Sequence, residues 1–171
     1  MDFPKSEPEI EELGRFLNKF NKESDRGAVL VAGTMLDERL KEILKSFLSD
    51  SKSSSDLLEG FNAPLGTFSS RIAACLSLGL IQKNEFDELN TIRKIRNEFA
   101  HTWDNTSFET GVVKDLCSRL PWLGPTELEA NSKPRERFNF AIAILLTDFL
   151  WRARLVLKER RQERIWPNKS R

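Results

Sequence analysis

The residues best equipped for chemistry stand together in Ile92-Arg93-Lys94-Ile95-Arg96-Asn97-Glu98-Phe99-Ala100-His101. His101 is the chain's only histidine, and histidine is the side chain that ordinarily gains and loses a proton near neutral pH. Arg96 is a permanent cation whose planar fork suits oxyanions, and Asn97 beside it could orient either group. On a wheel advancing about 100° per residue from Phe86, the apolar Ile95, Phe99, Ile92, Leu89, Ala100 and Phe86 spread over half a turn, and Arg96 falls within that arc. A charge aimed into an apolar stripe is costly unless it is paired or solvated in a cleft. Arg96 is therefore expected to be half of an ion pair, with Asp37 as candidate partner, or to line an interface. Arg96 and His101, five residues apart, sit about 140° apart on a continuous helix. They converge only if the helix frays at His101, where Trp103, Asp104 and Asn105 suit a helix end, or if two protomers pair across this helix. A homodimer is expected on that ground. The plainer reading is a salt bridge and a partner for the helix C-terminal dipole.

The elements around this segment read as helices. Ile10, Leu13, Leu17 and Phe20 recur at three- and four-residue steps, the mark of a short amphipathic helix. A second helix is predicted from about Ser24 to Leu48, with Ser24 or Asp25 as its N-cap. Its Gly27 and Gly33 each cost up to about 1 kcal/mol relative to alanine, so a close-packed backbone is expected against them. Ser49 to Ser55 reads as a polar loop, followed by a short turn at Asp56 to Gly60 and by Asn62-Ala63-Pro64-Leu65-Gly66. Thr67 caps a third main helix that ends near Gly79, and Asn84 with Asp87 suggests a variant capping box for the helix carrying Arg96. A short helix around Val112 to Leu120 ends at Pro121, and a last helix runs from about Pro134 to about Arg161. With strand signals nearly absent, the fold class is all-α: one domain over residues 1–171, a bundle of five or six helices.

Composition narrows the function. Apolar residues are 39% and charged residues 31% of the chain, the balance of a folded, surface-rich helical protein rather than a disordered one. A net charge of +1 argues against general polyanion binding, so nucleic-acid contact would need local clustering of charge. Such a cluster occurs at residues 152–171, where Arg152, Arg154, Lys158, Arg160, Arg161, Arg164, Lys169 and Arg171 face only Glu159 and Glu163. These residues suit a helix C-terminus. Interleaved with Trp151 and Trp166, they equally suit contacts to phosphates and bases. Cys75 and Cys117 stand far apart in apolar surroundings and read as reduced core thiols. With one histidine, neither a conventional metal site nor any cofactor is expected. Met1-Asp2-Phe3-Pro4 opens no secretory signal, and the longest apolar run, Phe140 to Leu146, is too short to span a bilayer. A cytoplasmic protein is expected.

Arg96-Asn97 followed by His101 resembles the Arg-x4–6-His signature of HEPN domains. Glu23-Ser24-Asp25-Arg26-Gly27-Ala28, Phe61-Asn62-Ala63-Pro64-Leu65-Gly66 and Ile92 to His101, in that order, resemble bacterial proteins of the mannitol-operon repressor-like (MltR) type over roughly residues 10 to 120. The resemblance implies an all-α dimer whose motifs face each other across a cleft, with RNA as substrate. Arg96, Asn97 and His101 would then be the catalytic residues of a metal-independent endoribonuclease of toxin or defence type. His101 would be the base for the 2′-hydroxyl and Arg96 the stabiliser of the phosphorane charge. Arg93, Lys94, Arg160, Arg161 and Arg164 would contact the RNA, and a cognate antitoxin or regulatory protein would be the partner. The alternative that the resemblance carries is a non-catalytic MltR-type transcriptional regulator acting through protein or DNA contacts. No helix-turn-helix with a basic recognition helix is visible in the sequence.

Overall fold

The computed structural model describes residues 7–101 and 105–167, and every regular element among them is an α-helix. In chain order they are α1 (Pro8–Phe20), α2 (Asp25–Phe47), α3 (Lys52–Leu58), α4 (Phe68–Ser77), α5 (Lys83–His101), α6 (Gly111–Ser118), α7 (Thr126–Glu129) and α8 (Pro134–Leu157). The count among the described residues is thus eight, against the five or six read from periodicity. The surplus is α3 and α7. Both lie where Ser, Pro and Gly signal a loop, and short helices form there instead. For α3 the reason is local capping and anchoring. The Ser51 hydroxyl accepts the amide of Ser54 at 3.2 Å to start the helix, and Leu58 buries its far end.

Several boundaries follow directly from side-chain chemistry. Ser24 caps α2 through the amide of Gly27 at 3.1 Å. Thr67 and Ser70 cap α4 reciprocally, and Gly79 leaves that helix at φ +71°, the left-handed conformation that glycine adopts without strain. The start of α5 differs from expectation. Asn84 lies inside the helix, and Glu85 takes the capping role by accepting the amide of Gln82 at 2.7 Å. The last helix stops at Leu157 rather than near Arg161.

The two long helices α2 and α8 pack against each other at the centre. On the remaining sides of α2 lie α4 and α5, and α6 fills the angle between α5 and α8. The buried side chains form one continuous cluster. A chain of rings runs through it: Phe16 on Phe20 at 5.6 Å, Phe20 to Phe138 at 6.4 Å, Phe138 to Phe108 at 5.2 Å and Phe108 to Phe99 at 5.5 Å. These aromatics tie α1, α8, the segment before α6 and α5 into one body. Among the described residues no helix is long and apolar enough to cross a membrane.

Candidate functional site

Arg96, Asn97 and His101 all lie on the C-terminal half of α5, but they do different things. The aliphatic stem of Arg96 lies over Gly33 of α2, so closely that a Cβ there would stand 2.6 Å from Arg96 Cδ. The close neighbour that Gly33 admits is therefore an arginine stem, not a backbone. Arg96 Nε is buried with no hydrogen-bond partner among the described residues. Asp37 instead pairs with Arg71 at 2.8 Å. Asn97 is half-buried, and His101 is exposed at the last position of α5. Since α5 runs unbroken through His101, the helix does not fray to bring histidine and arginine together. Trp103 and Asp104 lie outside the described residues.

The basic residues are similarly dispersed. Arg93 reaches Asn90 at 3.4 Å, and Lys94 is exposed. Arg160 donates to the carbonyls of Lys45 and Ser46 at 3.2 and 3.3 Å, and the amide of Arg161 donates to Phe47 O at 2.7 Å. These contacts satisfy carbonyls left open at the C-terminus of α2. Arg164 stacks on Trp166. Arg154 pairs with Glu7 and Glu9 at the start of α1, and Arg152 with Glu85. Lys169 and Arg171 lie outside the described residues.

The other two sequence blocks build helix junctions. Arg26 donates to Phe99 O in the last turn of α5. Asp25 accepts from Arg135 at 2.9 Å and from the amide of Phe108 at 3.3 Å, while the Arg135 guanidinium lies over the rings of Phe20 and Phe108. In the second block, the Leu65 carbonyl accepts from Arg71 Nε at 2.8 Å, and Arg71 also holds Leu58 O at 3.1 Å. Cys75 and Cys117 are free and buried, and burial pushes both thiols up to about 12, which leaves them inert near neutral pH.

A different surface has the makings of a binding site. The N-terminal half of α5, the loop through Pro121 and Leu123, and the outer face of α8 enclose a groove of about 340 Å³. It continues past Glu88 and Leu123 toward Thr91 and Arg119, and past Ile144 and Asp148 toward Phe140. Ile144, Asp148, Trp151 and Leu155 recur at four-, three- and four-residue steps, so they share one face of α8. Trp151 is 44% exposed, Leu155 56% and Leu123 52%. Beneath them lie carboxylates. Glu85 is saturated: it takes Arg152 Nη2 at 2.7 Å, Arg152 Nη1 at 3.1 Å and the Gln82 amide. The bond to Glu85 holds the Arg152 guanidinium more firmly protonated than usual. Glu88, only 8% exposed, lines the groove, and its Oε1 has no hydrogen-bond partner among the described residues. Burial, with Glu85 and Asp148 nearby, pushes its carboxyl up to about 7.

Sequence reasoning passed over this pair although the signal was there. On the wheel that puts Arg96 at about 280°, Glu85 falls at about 260° and Glu88 at about 200°, both inside the apolar arc. With Arg93 at about 340°, four charges, not one, fall within that stripe. The outer face of α8 was harder to see, because a helix apolar on nearly every side reads simply as buried.

No protein-family model matches the chain, and no curated protein matches its sequence. A solved structure does match in fold. The chain is similar to one in the crystal structure of the MtlR–HPr complex from Escherichia coli, at 20% sequence identity and a TM-score of 0.57, over 82% of this chain and 97% of that one. The likeness is one of fold, to a chain of that complex and not specifically to HEPN domains. It overturns the expectation of a HEPN-type endoribonuclease, and with it the toxin–antitoxin reading. Within one chain, unbroken α5 holds Arg96 and His101 on different sides. Among the described residues no group of three or more His, Cys, Asp or Glu gathers as a metal centre.

Proposed function

We propose that this protein is a non-catalytic regulator that works by binding a partner protein, and that the partner is HPr or a protein built like it. The observation that carries this reading is the fold similarity to a chain of the MtlR–HPr complex, which extends over nearly all of that chain. The surface supports it: Trp151, Leu155 and Leu123 are exposed along one groove, and exposed aromatic and aliphatic side chains grouped beside charge are typical of protein contacts. Protein contact is favoured over DNA contact by the fate of the basic segment. Arg152 and Arg154 are neutralised by glutamates, and Arg160 is engaged with the end of α2, which leaves fewer cations for phosphates.

Sedimentation velocity tests the proposal. The protein mixed with HPr from the same organism, both at micromolar concentration, is expected to give a boundary that moves faster than either protein alone. Two boundaries that sediment independently at every ratio would contradict it.

A further inference from the structure

We propose that the groove between α5 and α8 is a receptor for one basic side chain, an arginine or lysine on a partner protein, with the Glu88 carboxylate as its acceptor. The groove then names the docking surface of the regulatory reading and its chemistry, and rests on that reading only for the identity of the partner.

Glu88 has an unmet need. A buried carboxylate oxygen without a donor costs free energy, and native proteins leave few such groups. Among the described residues Glu88 Oε1 is one, itself closed to solvent but part of a carboxylate whose residue lines the groove. The nearby guanidinium is committed elsewhere: Arg152 spends both terminal nitrogens on Glu85, and Nη1 bonds Leu80 O as well.

The charge around the groove is unbalanced in the same sense. Among the described residues, Glu85, Glu88 and Asp148 line it against a single cation, Arg152, which Glu85 already occupies. The adjoining hollow adds Asp87 and Arg119, and Lys83 is bound to Asp87 at the rim. What remains uncompensated is negative, so the complementary occupant is positive. The described carboxylates do not gather as a metal centre, whereas a guanidinium or ammonium needs only one or two acceptors.

Shape selects the kind of cation. Trp151, Leu155, Leu123 and Ile144 border the acidic floor, so the cation should arrive on an aliphatic stem that can lie along apolar walls. The groove extends into neighbouring hollows on both sides, more room than a free amine fills. That extension fits a side chain presented by a folded surface.

The carboxyl of Glu88, raised to about 7, fits the same assignment. Facing it are Glu85 and Asp87 of α5, Asp148 and Arg152 of α8, and Arg119 of the adjoining loop. A bound cation stabilises the ionised form and expels the proton, so binding should tighten as pH rises through 7.

The test uses a defined probe, the capped peptide Ac-Ala-Leu-Arg-Leu-Ala-NH2, and its twin with norleucine in place of arginine. Titrated into the full-length isotope-labelled protein, the arginine peptide should shift the Trp151 indole resonance, assigned through Trp151→Phe, and should bind more tightly at pH 8 than at pH 6. The norleucine peptide should bind at least roughly tenfold more weakly, and Glu88→Gln should weaken the arginine peptide by a similar factor. Glu12→Gln, an exposed change on α1, should leave it unaffected. Equal binding of the two peptides, or shifts that bypass Trp151, would overturn the proposal. Trp151 shifts that depend on protein concentration without peptide would assign the groove to a second copy of the chain and overturn it too. HPr then separates the two readings. If the peptide binds as described but HPr does not, the groove assignment stands and the HPr partnership fails. If HPr binds and Glu88→Gln leaves its affinity unchanged, the partnership stands and the groove assignment fails.

Discussion

Gly33 and Arg96 behave as one unit, because the stem of the arginine occupies the space that a Cβ at Gly33 would need. Gly33→Ala alone gains up to about 1 kcal/mol of helix propensity but must displace a packed stem, an overpacking cost of about 1–3 kcal/mol. The expected result is neutral to destabilising. In an Arg96→Ala background the same substitution should stabilise by roughly 0.5–1 kcal/mol, and chemical denaturation of the four proteins checks it. Effects that add to within about 0.5 kcal/mol would show that the residues are not coupled. Glu88 gives the complementary pH prediction. Its folded-state pKa of about 7 lies above the ordinary carboxyl value of 4.5, so the folded protein holds a proton that the unfolded chain releases, and stability falls as pH rises between those values. Glu88→Gln should change little at pH 4 and should stabilise the protein by about 1–3 kcal/mol at pH 8, discounted for partial solvent screening. Thermal melts at the two pH values measure it. The sequence showed Arg96 as a misplaced charge but not what resolved it. A helical wheel shows which way a side chain points, while the space opened by a missing Cβ on another helix belongs to the packing.

Two helix C-termini in this fold are closed by side chains from distant elements. Arg26 of α2 caps α5, and Arg160, beyond α8, caps α2. Arg160→Ala should therefore cost about 1 kcal/mol, the net worth of hydrogen bonds from a partly exposed cation. Arg164→Ala, at an exposed position, should be near neutral. Urea midpoints of the two variants distinguish this from a plain solvated tail, in which both would be neutral. The long amphipathic helices were legible because their apolar spacing is strong and Ser24, Thr67 and Gly79 mark the ends with local chemistry. The short α3 and α7 were not legible, because their composition favours loops, and α3 owes its stability to Ser51 and to burial of Leu58. The end of α8 was placed too late, because the basic run continues past Leu157 without a Gly or Pro to announce the stop.

At the scale of the whole molecule, α2 and α8 form a core that α4, α5 and α6 complete, and Trp151 and Leu155 of α8 with Leu123 of the loop before it stay exposed around buried carboxylates of α5. The all-α class was readable in helical periodicity and the near absence of strand signals, and the likeness in fold to a chain of the MtlR–HPr complex in the order of three sequence blocks. Asp25, Arg26 and Leu65 of the first two blocks hold helix junctions. Arg152 and Glu85 hold α8 to α5 beneath the groove, so Arg152→Ala should cost about 3–5 kcal/mol by stranding a buried carboxylate. A much smaller loss in a denaturant titration would show Glu85 to be solvated. The most direct measurement of the regulatory reading is calorimetric titration of HPr into the full-length protein at pH 8. Saturable binding at one site per chain, with a micromolar or tighter Kd, is the predicted result. No heat and no complex across the accessible concentration range, from a protein shown to be folded, would contradict it.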